Sequence, residues 1–390
     1  MLRKLCLKNI IDLKEKIVVG LNSGTSADGI DAAVVKIIGN GLGSKVEFIM
    51  GKTFKFDKRL KTKIKRCAEP AFTDGESWLK LDIILAKLFS QATLSIIRSA
   101  GLRVKDIALI GSHGQTIRHK PASRFGTFTC QLADPARIAV GCGIVTVGDF
   151  RVADIAAGGQ GAPLTPIVNA IVFREKSLRV GVLNIGGIAN ITIITPYRNG
   201  YKVFGCDTGP GNMLVDYLAE KLFRVGYDKG GRLASCGIAD DFIIRKVLSG
   251  KFFGFKGPKS AGREKFGRKF GEKFLALCRK KGLSKNDIMN TASMLTIEAF
   301  KRCCVVNKFR FDRLILAGGG AKNLFFVKAI EDIFPNVEIL NSFDCGFPSD
   351  YLEAVSFGVL ANEAICSNRY NLKTVTGANK AVVLGKICQP

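Results

Sequence analysis

The chain repeats one succession of predicted elements, and this repetition constrains its fold more than any other feature. The first half opens with three β-type runs separated by glycine-rich turns, at 17–21, 32–38 and 46–54. Consecutive runs of this kind are typical of β-hairpins. A long amphipathic helix through 78–96 follows them, and Thr73 with Glu76 has the spacing of a capping box at its start.

The rest of the first half alternates strands with helices, and the second half returns to the same plan. The further predicted elements are a strand at 107–110, a short helix at 134–140, strands at 144–147, 180–185, 191–194 and 203–206, helices filling much of 213–304, a strand at 314–317, a helix at 324–334, a strand at 337–340 and a helix at 352–365. A glycine-rich connector at 158–161 separates the halves. Two halves that each begin with hairpins and end in β/α units predict a duplicated α/β fold with a cleft between the copies.

Length and composition allow two domains with separate cores, because 47% of the 390 residues are hydrophobic. Lys and Arg total 59 against 33 Asp and Glu, and the net charge of +26 raises the question of nucleic-acid binding. The charge is scattered and no recognition motif accompanies it, so we expect no nucleic-acid partner. One segment, 251–281, holds eleven basic residues and is either a solvated surface or a field that attracts anionic ligands.

Cysteine usage and hydropathy favour a cytoplasmic protein. The twelve cysteines are irregularly spaced without a C-x-x-C pair, which predicts reduced thiols. The two histidines offer too few ligands for a typical zinc site. The N-terminus has no secretory signal pattern, and prolines and glycines interrupt the longest uncharged stretch, 155–173, so no membrane span is expected.

The first candidate for nucleotide binding is the sequence GLNSGTSADGID at 20–31, where the first strand must turn into the second. Small and hydroxyl side chains let backbone N–H groups face a polyphosphate, and Asp28 and Asp31 can hold water around Mg²⁺. The same residue types are preferred in any tight hairpin turn. On its own, this loop leaves both interpretations open.

Two further glycine-rich turns occur in the second half. The sequence LNIGGIANIT at 183–192 lies at the equivalent hairpin, and LILAGGGAKN at 314–323 runs from a strand through glycines into a helix. Those glycines let an adenosine approach the backbone, or they simply end the strand. Neither a Walker A sequence nor a Rossmann G-x-G-x-x-G is present. The ordered appearance of all three turns is more specific than any one of them.

A longer series of motifs gives the chain a family resemblance. The chain contains, in this order, SGTSADGID, GSHGQT, GDFRVADIAAGGQGAP, NIGGIAN, DTGPGN, GPKSAGRE, AGGGAKN and VTGANKAVVLGK. This succession resembles that of the anhydro-N-acetylmuramic acid kinases, and the resemblance extends from about residue 16 to the C-terminus. The departures are modest: Ala317 and Lys322 stand where Cys and His are expected, and GPKSAGRE stands where PPKSTGRE is more usual.

The resemblance implies an actin/hexokinase-like ATPase fold, in which two ribonuclease H-like domains flank a central cleft and two facing hairpins hold the nucleotide. It implies a first domain of 16–148 plus 366–390, a second of 149–365, and a charged leader at 1–15. ATP, Mg²⁺ and 1,6-anhydro-N-acetylmuramic acid are the implied ligands. The implied reaction opens the anhydro bridge with water and phosphorylates O6, giving N-acetylmuramic acid 6-phosphate in peptidoglycan recycling. Whether the chain forms a homodimer stays open.

The resemblance also assigns roles to individual residues. Asp207, in CDTGPGN, is the predicted base that activates water, although a role as cap of its turn or of the next helix stays open. The residues predicted to hold nucleotide are Gly24, Thr25, Ser26, Ala27, Asp28, Gly29, Ile30, Asp31, Asn190, Gly318, Gly319 and Gly320, with Asp28 and Asp31 meeting the metal through water. The residues predicted to contact the sugar are His113, Gln115, Thr116, Asp149 and Arg151.

Within the sugar set, Arg151 is predicted to pair with the lactyl carboxylate, because a guanidinium offers a bidentate geometry that lysine lacks. A purely structural role for His113 is an equal alternative. Two other functions remain open on the same fold. One is a kinase for acetate or another sugar. The other is an actin-like filament protein, which would leave DTGPGN and GSHGQT without a role.

Overall fold

A computed structural model describes residues 7–24, 26–69, 71–123, 126–198 and 200–390. The strands are β1 (Glu15–Ser23), β2 (Gly29–Ile38), β3 (Lys45–Lys55), β4 (Leu109–Ser123), β5 (Gly126–Leu132), β6 (Thr146–Gly148), β7 (Val180–Ile185), β8 (Ile188–Tyr197), β9 (Gly200–Pro210), β10 (Arg313–Ala317), β11 (Glu338–Asn341) and β12 (Lys386–Cys388). The helices are α1 (Leu7–Ile11), α2 (Lys58–Cys67), α3 (Gly75–Ser99), α4 (Pro135–Cys142), α5 (Phe150–Ala156), α6 (Thr165–Phe173), α7 (Asn212–Phe223), α8 (Arg232–Ser235), α9 (Asp241–Leu248), α10 (Lys251–Gly254), α11 (Arg263–Phe266), α12 (Arg268–Lys280), α13 (Lys285–Asn307), α14 (Leu324–Ile333) and α15 (Leu352–Ile365).

The chain forms two compact units, each with its own sheet. The first unit comprises the described residues up to Val172 together with Gly346–Pro390, and the second comprises Phe173–Cys345. The first sheet has the order β12-β6-β4-β1-β2-β3, with β5 paired to β4. The second has the order β11-β10-β7-β8-β9.

The two sheets share one topology. In each unit the first three strands form an antiparallel meander, β1-β2-β3 or β7-β8-β9. On its other side the first strand pairs in parallel with a later one, β4 or β10. Such parallel pairs require a long crossover, which the helices between them provide. This strand arrangement is that of a ribonuclease H-like domain, and it confirms the predicted duplicated α/β fold.

The central strand β1 is buried because helices cover both of its faces. Val19 and Leu21 belong to a hydrophobic cluster that includes Leu85 and Phe89 of α3. Since successive residues of a strand point to opposite faces, the residue between them faces away from α3. A second helix, α15, packs against β1, β2 and β4.

Two glycines allow α15 to lie directly on the first sheet. A Cβ at Gly20 would be 1.9 Å from the carbonyl oxygen of Ala354, and a Cβ at Gly111 would be 2.0 Å from that of Phe357. No larger residue fits at either position without displacing the helix backbone. The helix is therefore part of the first unit.

The unit boundaries differ from the predicted domain boundaries for this reason. The predicted second domain, 149–365, included α5, α6 and α15, but residues 149–172 and 346–365 pack within the first unit. Sequence periodicity locates a helix without revealing which sheet it covers. The part of the leader within the described residues contains the short helix α1.

Two local predictions were wrong. Helix α3 begins after Asp74, whose carboxylate accepts a hydrogen bond from the backbone N–H of Ser77 (3.1 Å), so the cap is not the predicted Thr73 and Glu76 pair. The strand predicted at 107–110 extends through β4 to Ser123 and forms a hairpin with β5. Among the described helices, none is both long enough and apolar enough to span a bilayer.

Candidate active site

A row of three polar residues crosses the second sheet. Asn184 of β7 lies opposite Asn190 of β8, and Asn190 lies opposite Asp207 of β9. Directly opposed residues in neighbouring strands have their side chains on the same face. Asp207 was predicted to follow a strand that ended at 206, but β9 continues to Pro210, and a register shift at Ala189 and Asn190 accompanies it.

Asp207 is a buried carboxylate with few partners. Its residue is 8% exposed, and its Oδ2 accepts a hydrogen bond of 2.6 Å from the backbone N–H of Ala261. Burial raises the pKa of Asp207 to about 7, against the opposing effects of the Ala261 N–H, the Ser260 hydroxyl and the Lys259 ammonium. A carboxylate that binds a proton near neutral pH is suited to act as a general base.

The turn after Asp207 is joined to the second hairpin turn. The backbone N–H of Asn212 donates to the carbonyl oxygen of Gly186 (2.8 Å), and its side-chain amide donates to that of Ile185 (3.0 Å). Helix α7 begins at Asn212. The DTGPGN and NIGG motifs, far apart in the sequence, therefore form one structure at the end of the polar row.

The glycine run after β10 lies against the same row. Ala317 pairs with Asn184, and Gly318 follows with φ 76° and ψ 179°, a conformation that only glycine adopts readily. A Cβ at Gly318 would be 2.3 Å from the Asn184 Oδ1. The predicted nucleotide residues of the second unit, Asn190 and Gly318–Gly320, are thus brought together with Asp207.

In the first unit, Gln115 fixes the turn between β1 and β2. Its Oε1 lies 2.7 Å from the Ser23 hydroxyl, which is also 2.7 Å from the Gly29 carbonyl oxygen, and its side-chain amide donates to the Gly24 carbonyl oxygen (3.2 Å). Gln115 is almost fully buried. The amide also donates to the Thr116 carbonyl oxygen (3.2 Å), and contact with a sugar stays a prediction.

Not every residue predicted in this turn can offer its side chain to a ligand. Ala27 and Ile30 are each 1% exposed and lie in the core of the first unit, which leaves them only backbone groups for a nucleotide. Gly24, Ser26 and Gly29 flank them in the turn, while Thr25 lies outside the described residues.

The carboxylates of this turn are compatible with a hydrated cation. Asp28 forms an ion pair with Lys61, and Asp31 accepts a hydrogen bond from the Thr53 hydroxyl (2.6 Å). Burial raises the pKa of Asp31, as do the charges of Asp350 and Asp28. Within the described residues, no three acidic, histidine or cysteine side chains converge to bind a metal directly. Oxygen ligands acting through water fit Mg²⁺, which keeps several waters in proteins.

Arg151 is held by two hydrogen bonds within the first unit. Its Nε–H donates to His113 Nε2 (3.0 Å), and its Nη1 donates to the Gly161 carbonyl oxygen (2.8 Å). The other ring nitrogen of His113 lies 3.2 Å from the Gly114 carbonyl oxygen, and burial beside Arg151 keeps the pKa of His113 well below its usual range. The ring is therefore neutral, with its proton on Nδ1 and its Nε2 free to accept.

This arrangement makes His113 a support for Arg151. Its ring also packs on Phe357 of α15, with the ring centroids 4.4 Å apart. Both ring nitrogens have internal partners, Arg151 and the Gly114 carbonyl oxygen, and a direct contact between His113 and the sugar stays a prediction. Burial lowers the pKa of Arg151 to about 10, which leaves it charged at neutral pH.

The remaining predicted sugar residues lie near Arg151 in sequence or on β4. Asp149 precedes α5 in a left-handed conformation (φ 54°) and forms an ion pair with Lys386. The Thr116 hydroxyl accepts a hydrogen bond from the Gln131 amide (3.4 Å). Their contacts with substrate stay predictions.

The comparisons with known proteins agree with the motifs. The profile of the anhydro-N-acetylmuramic acid kinase family matches residues 16–390. The chain belongs to this family. The anhydro-N-acetylmuramic acid kinase of Caldanaerobacter subterraneus subsp. tengcongensis is 40% identical over 98% of this chain and 99% of that protein. The enzyme of the same name from Francisella tularensis subsp. novicida is 39% identical over 95% and 98%.

The family prediction made from the motifs is thereby confirmed. Among solved structures, the (R)-2-hydroxyglutaryl-CoA dehydratase component A of Acidaminococcus fermentans aligns with 90% of this chain and 99% of its own, at 13% identity and a TM-score of 0.45.

Sequence reasoning missed, among others, the buried side chains of Asp154 and Lys259 and the exposed Glu353 of this family member. Asp154 is fully buried, and its carboxylate accepts hydrogen bonds from the Gly161 N–H (2.7 Å) and the Thr376 hydroxyl (2.6 Å). Glu353 is exposed, and its carboxylate accepts a hydrogen bond from the Asn22 amide (2.6 Å). Lys259 is 9% exposed. Asp154 and Lys259 lie inside motifs quoted above, whereas a single glutamate at the start of an apolar helix was the only signal for Glu353.

Proposed function

We propose that this chain is an ATP-dependent carbohydrate kinase that phosphorylates anhydro-N-acetylmuramic acid. The observation that carries the proposal is Asp207, a buried carboxylate whose pKa is raised to about 7 and which lies in one row with the glycine turns of a kinase family member. Phosphoryl transfer needs mainly positioning and neutralisation of charge. Backbone donors at the glycine turns and one base meet that need.

The reaction couples opening of the anhydro bridge to transfer of the γ-phosphoryl group. Asp207 removes a proton from a water molecule as the water oxygen bonds to the anomeric carbon of the sugar. The bond from that carbon to O6 breaks, and O6 attacks the γ-phosphorus of ATP in line. The bond between γ-phosphorus and the bridging oxygen then breaks, which releases ADP and leaves N-acetylmuramic acid 6-phosphate. Asp207 carries the proton until solvent removes it.

We assign the nucleotide to the backbone N–H groups of 24–29 and to the turns at 185–188 and 318–320. Small residues at these turns let phosphate oxygens approach the backbone. Asp28 and Asp31 would hold Mg²⁺ through water, and its charge would offset that of the phosphates. Lys61, now paired with Asp28, would have to release that carboxylate or share it.

We assign the lactyl carboxylate of the sugar to Arg151. The Nε and Nη1 groups are used internally, so the guanidinium is fixed in one plane by His113 and the Gly161 carbonyl. A guanidinium that is held rigidly loses little entropy when it binds a carboxylate. We place the reaction in the cytoplasm, where the described cysteines, all free thiols, would stay reduced.

Incubation of the purified chain with ATP, Mg²⁺ and the anhydro-sugar tests the proposal. We expect ADP and a 6-phosphorylated reducing sugar in equal amounts, measured by mass spectrometry and coupled ADP detection. Acetate and glucose, each in place of the anhydro-sugar, test for a different kinase. Turnover with either of these alone, or ATP-dependent light scattering without any phosphorylated product, would contradict the assignment.

Arg151→Lys is expected to raise the KM for the anhydro-sugar by about tenfold, since about 1.4 kcal/mol of binding energy is lost with a bidentate contact. A lysine ammonium cannot donate to both His113 and the Gly161 carbonyl oxygen and also present two coplanar N–H groups to a carboxylate. The KM for ATP should not change. Arg137→Lys is the matched control, because Arg137 is exposed and its described ion pair is with Asp82. An unchanged sugar KM in the Arg151 variant would disprove the contact.

A further inference from the structure

We propose that Lys259 is a positioning residue for Asp207: it holds the loop 257–262 against β9 and sets the basicity of the Asp207 carboxylate. The inference rests on the proposed function only for the role of Asp207 as a base. The geometry of the loop and the charge of the lysine are properties of the second unit alone.

Lys259 is a buried cation with an unusual set of partners. Its Nζ donates a hydrogen bond to the Phe252 carbonyl oxygen (2.9 Å) and lies 4.5 Å from the centre of the Phe252 ring. No carboxylate among the described residues forms an ion pair with it. A buried ammonium without a paired anion costs stability, so its place in the fold calls for another explanation.

The backbone at residues 259 and 261 forms hydrogen bonds with both the main chain and the side chain of Asp207. The carbonyl oxygen of Lys259 accepts a hydrogen bond from the Asp207 N–H (2.9 Å), and the N–H of Ala261, two residues on, donates to the Asp207 carboxylate (2.6 Å). Displacement of Lys259 would therefore disturb the backbone and the side chain of Asp207 together. The anchor on Phe252 fixes the position from which both bonds are made.

The start of the loop has a second, independent anchor. The Gly257 N–H donates to Asn307 Oδ1 (2.8 Å), and the Asn307 amide donates to the Cys303 carbonyl oxygen (2.9 Å) of α13. A proline at 257 would have no N–H to donate to Asn307. Because this anchor does not involve Lys259, a substitution at 259 should loosen the loop without detaching it.

The charges around Asp207 give the expected direction of the effect. Lys259 favours its ionised form, whereas Glu264, whose carboxylate accepts the Gly262 N–H (2.8 Å), disfavours it. The thiols of Cys206 and Cys303 also lie near Asp207, with their sulfur atoms 3.5 Å apart. Removal of the Lys259 charge takes away a cation that stabilises the ionised carboxylate, so the pKa of Asp207 should rise further.

The test is the pH dependence of kcat in Lys259→Met. The methionine keeps the apolar stem and removes the charge. We expect the midpoint of the rise in kcat to move upward by roughly one pH unit, as loss of a nearby opposite charge does. Activity at pH 7 should fall about fivefold, because the ionised fraction of Asp207 drops from about one half to about one tenth. Activity should recover above pH 9, and the KM for ATP should not change. Lys259→Arg, which keeps the charge, should restore the parent midpoint.

Lys265→Met is the matched control. Lys265 is exposed, and its ammonium lies 4.4 Å from the centre of the same Phe252 ring. The ammonium makes no described hydrogen bond to the loop. It should leave the midpoint unchanged. Lys259→Gln, which keeps a donor for the Phe252 carbonyl, is a second neutral variant if the methionine does not fold. A kcat lowered equally at every pH would show a merely structural role and overturn the inference.

A readout without turnover separates this inference from the proposed function. The titration of the Asp207 carboxyl can be followed by infrared difference spectra between each chain and the same chain carrying Asp207→Asn. The midpoint should lie higher in Lys259→Met than in the parent. If the parent phosphorylates no anhydro-sugar, the proposed function fails while this titration still decides the role of Lys259. An unchanged midpoint would refute it even in an active enzyme.

Discussion

Asp207→Asn is expected to lower kcat by about 10²- to 10⁴-fold, the contribution typical of a general base. The amide keeps the size of the carboxylate, and its oxygen can still accept the hydrogen bond from the Ala261 N–H. It cannot accept a proton from water. Single-turnover assays with ATP and the anhydro-sugar measure the loss, and the Kd for ATP, measured by calorimetry, should stay within about twofold of the parent because the nucleotide turns are untouched.

The same substitution should change the pH dependence of stability. The pKa of Asp207 is about 7 in the folded chain and 3.8 as a free side chain, so the folded state holds the proton more tightly. The parent therefore loses stability as the pH rises from about 4 through 7, whereas asparagine does not titrate. Relative to the parent, Asp207→Asn should gain about 2 to 4 kcal/mol in free energy of unfolding between pH 4 and pH 8.

Asp216→Asn is the matched control for both measurements. Asp216 lies on α7 in the same unit, and burial raises its pKa to about 6, but it is outside the polar row. Its substitution should leave kcat within about twofold while it produces a similar change in the pH dependence of stability. Full activity of Asp207→Asn, with the parent's dependence on pH, would remove Asp207 from the mechanism.

Much of the fold follows from local sequence. Strand β7 and helix α15 begin and end at the predicted residues, because each is an apolar run bounded by polar or turn-forming residues. The hairpin of β4 and β5 was missed because 111–123 is polar and contains Pro121, a composition with low β propensity. Its strand conformation comes from pairing with β5 and β1, which no local pattern specifies.

The site was predictable to a smaller extent. A motif locates Asp207, but its burial and its partner Ala261 come from a segment 54 residues away in the sequence. Glu353 and Asn22 are 331 residues apart and meet only because α15 covers the first sheet. The cap of α3 shows the limit at short range: Thr73 and Asp74 are both good capping residues, and their sequence does not decide between them.

Gly318→Ala is expected to destabilise the chain by about 2 to 4 kcal/mol and to weaken ATP binding by more than tenfold. Residues other than glycine at φ 76° and ψ 179° cost about 1 to 3 kcal/mol. The new Cβ would also lie 2.3 Å from Asn184 Oδ1 and 2.9 Å from the backbone carbonyl of Ile185. Relief of that overlap would displace Asn184 and with it the start of the polar row that contains Asp207.

Gly319→Ala provides the comparison within the same turn. A Cβ there would approach only the Asn212 side-chain amide, at 3.3 Å, and that group can move slightly. Thermal denaturation should show a change below about 1 kcal/mol for this variant. Calorimetric titration with ATP should show weaker binding by Gly318→Ala than by Gly319→Ala, the same order as their losses of stability. If both alanines weakened ATP binding equally, loss of glycine flexibility would be the cause, and the steric position of Gly318 against Asn184 would have no special part in forming the nucleotide site.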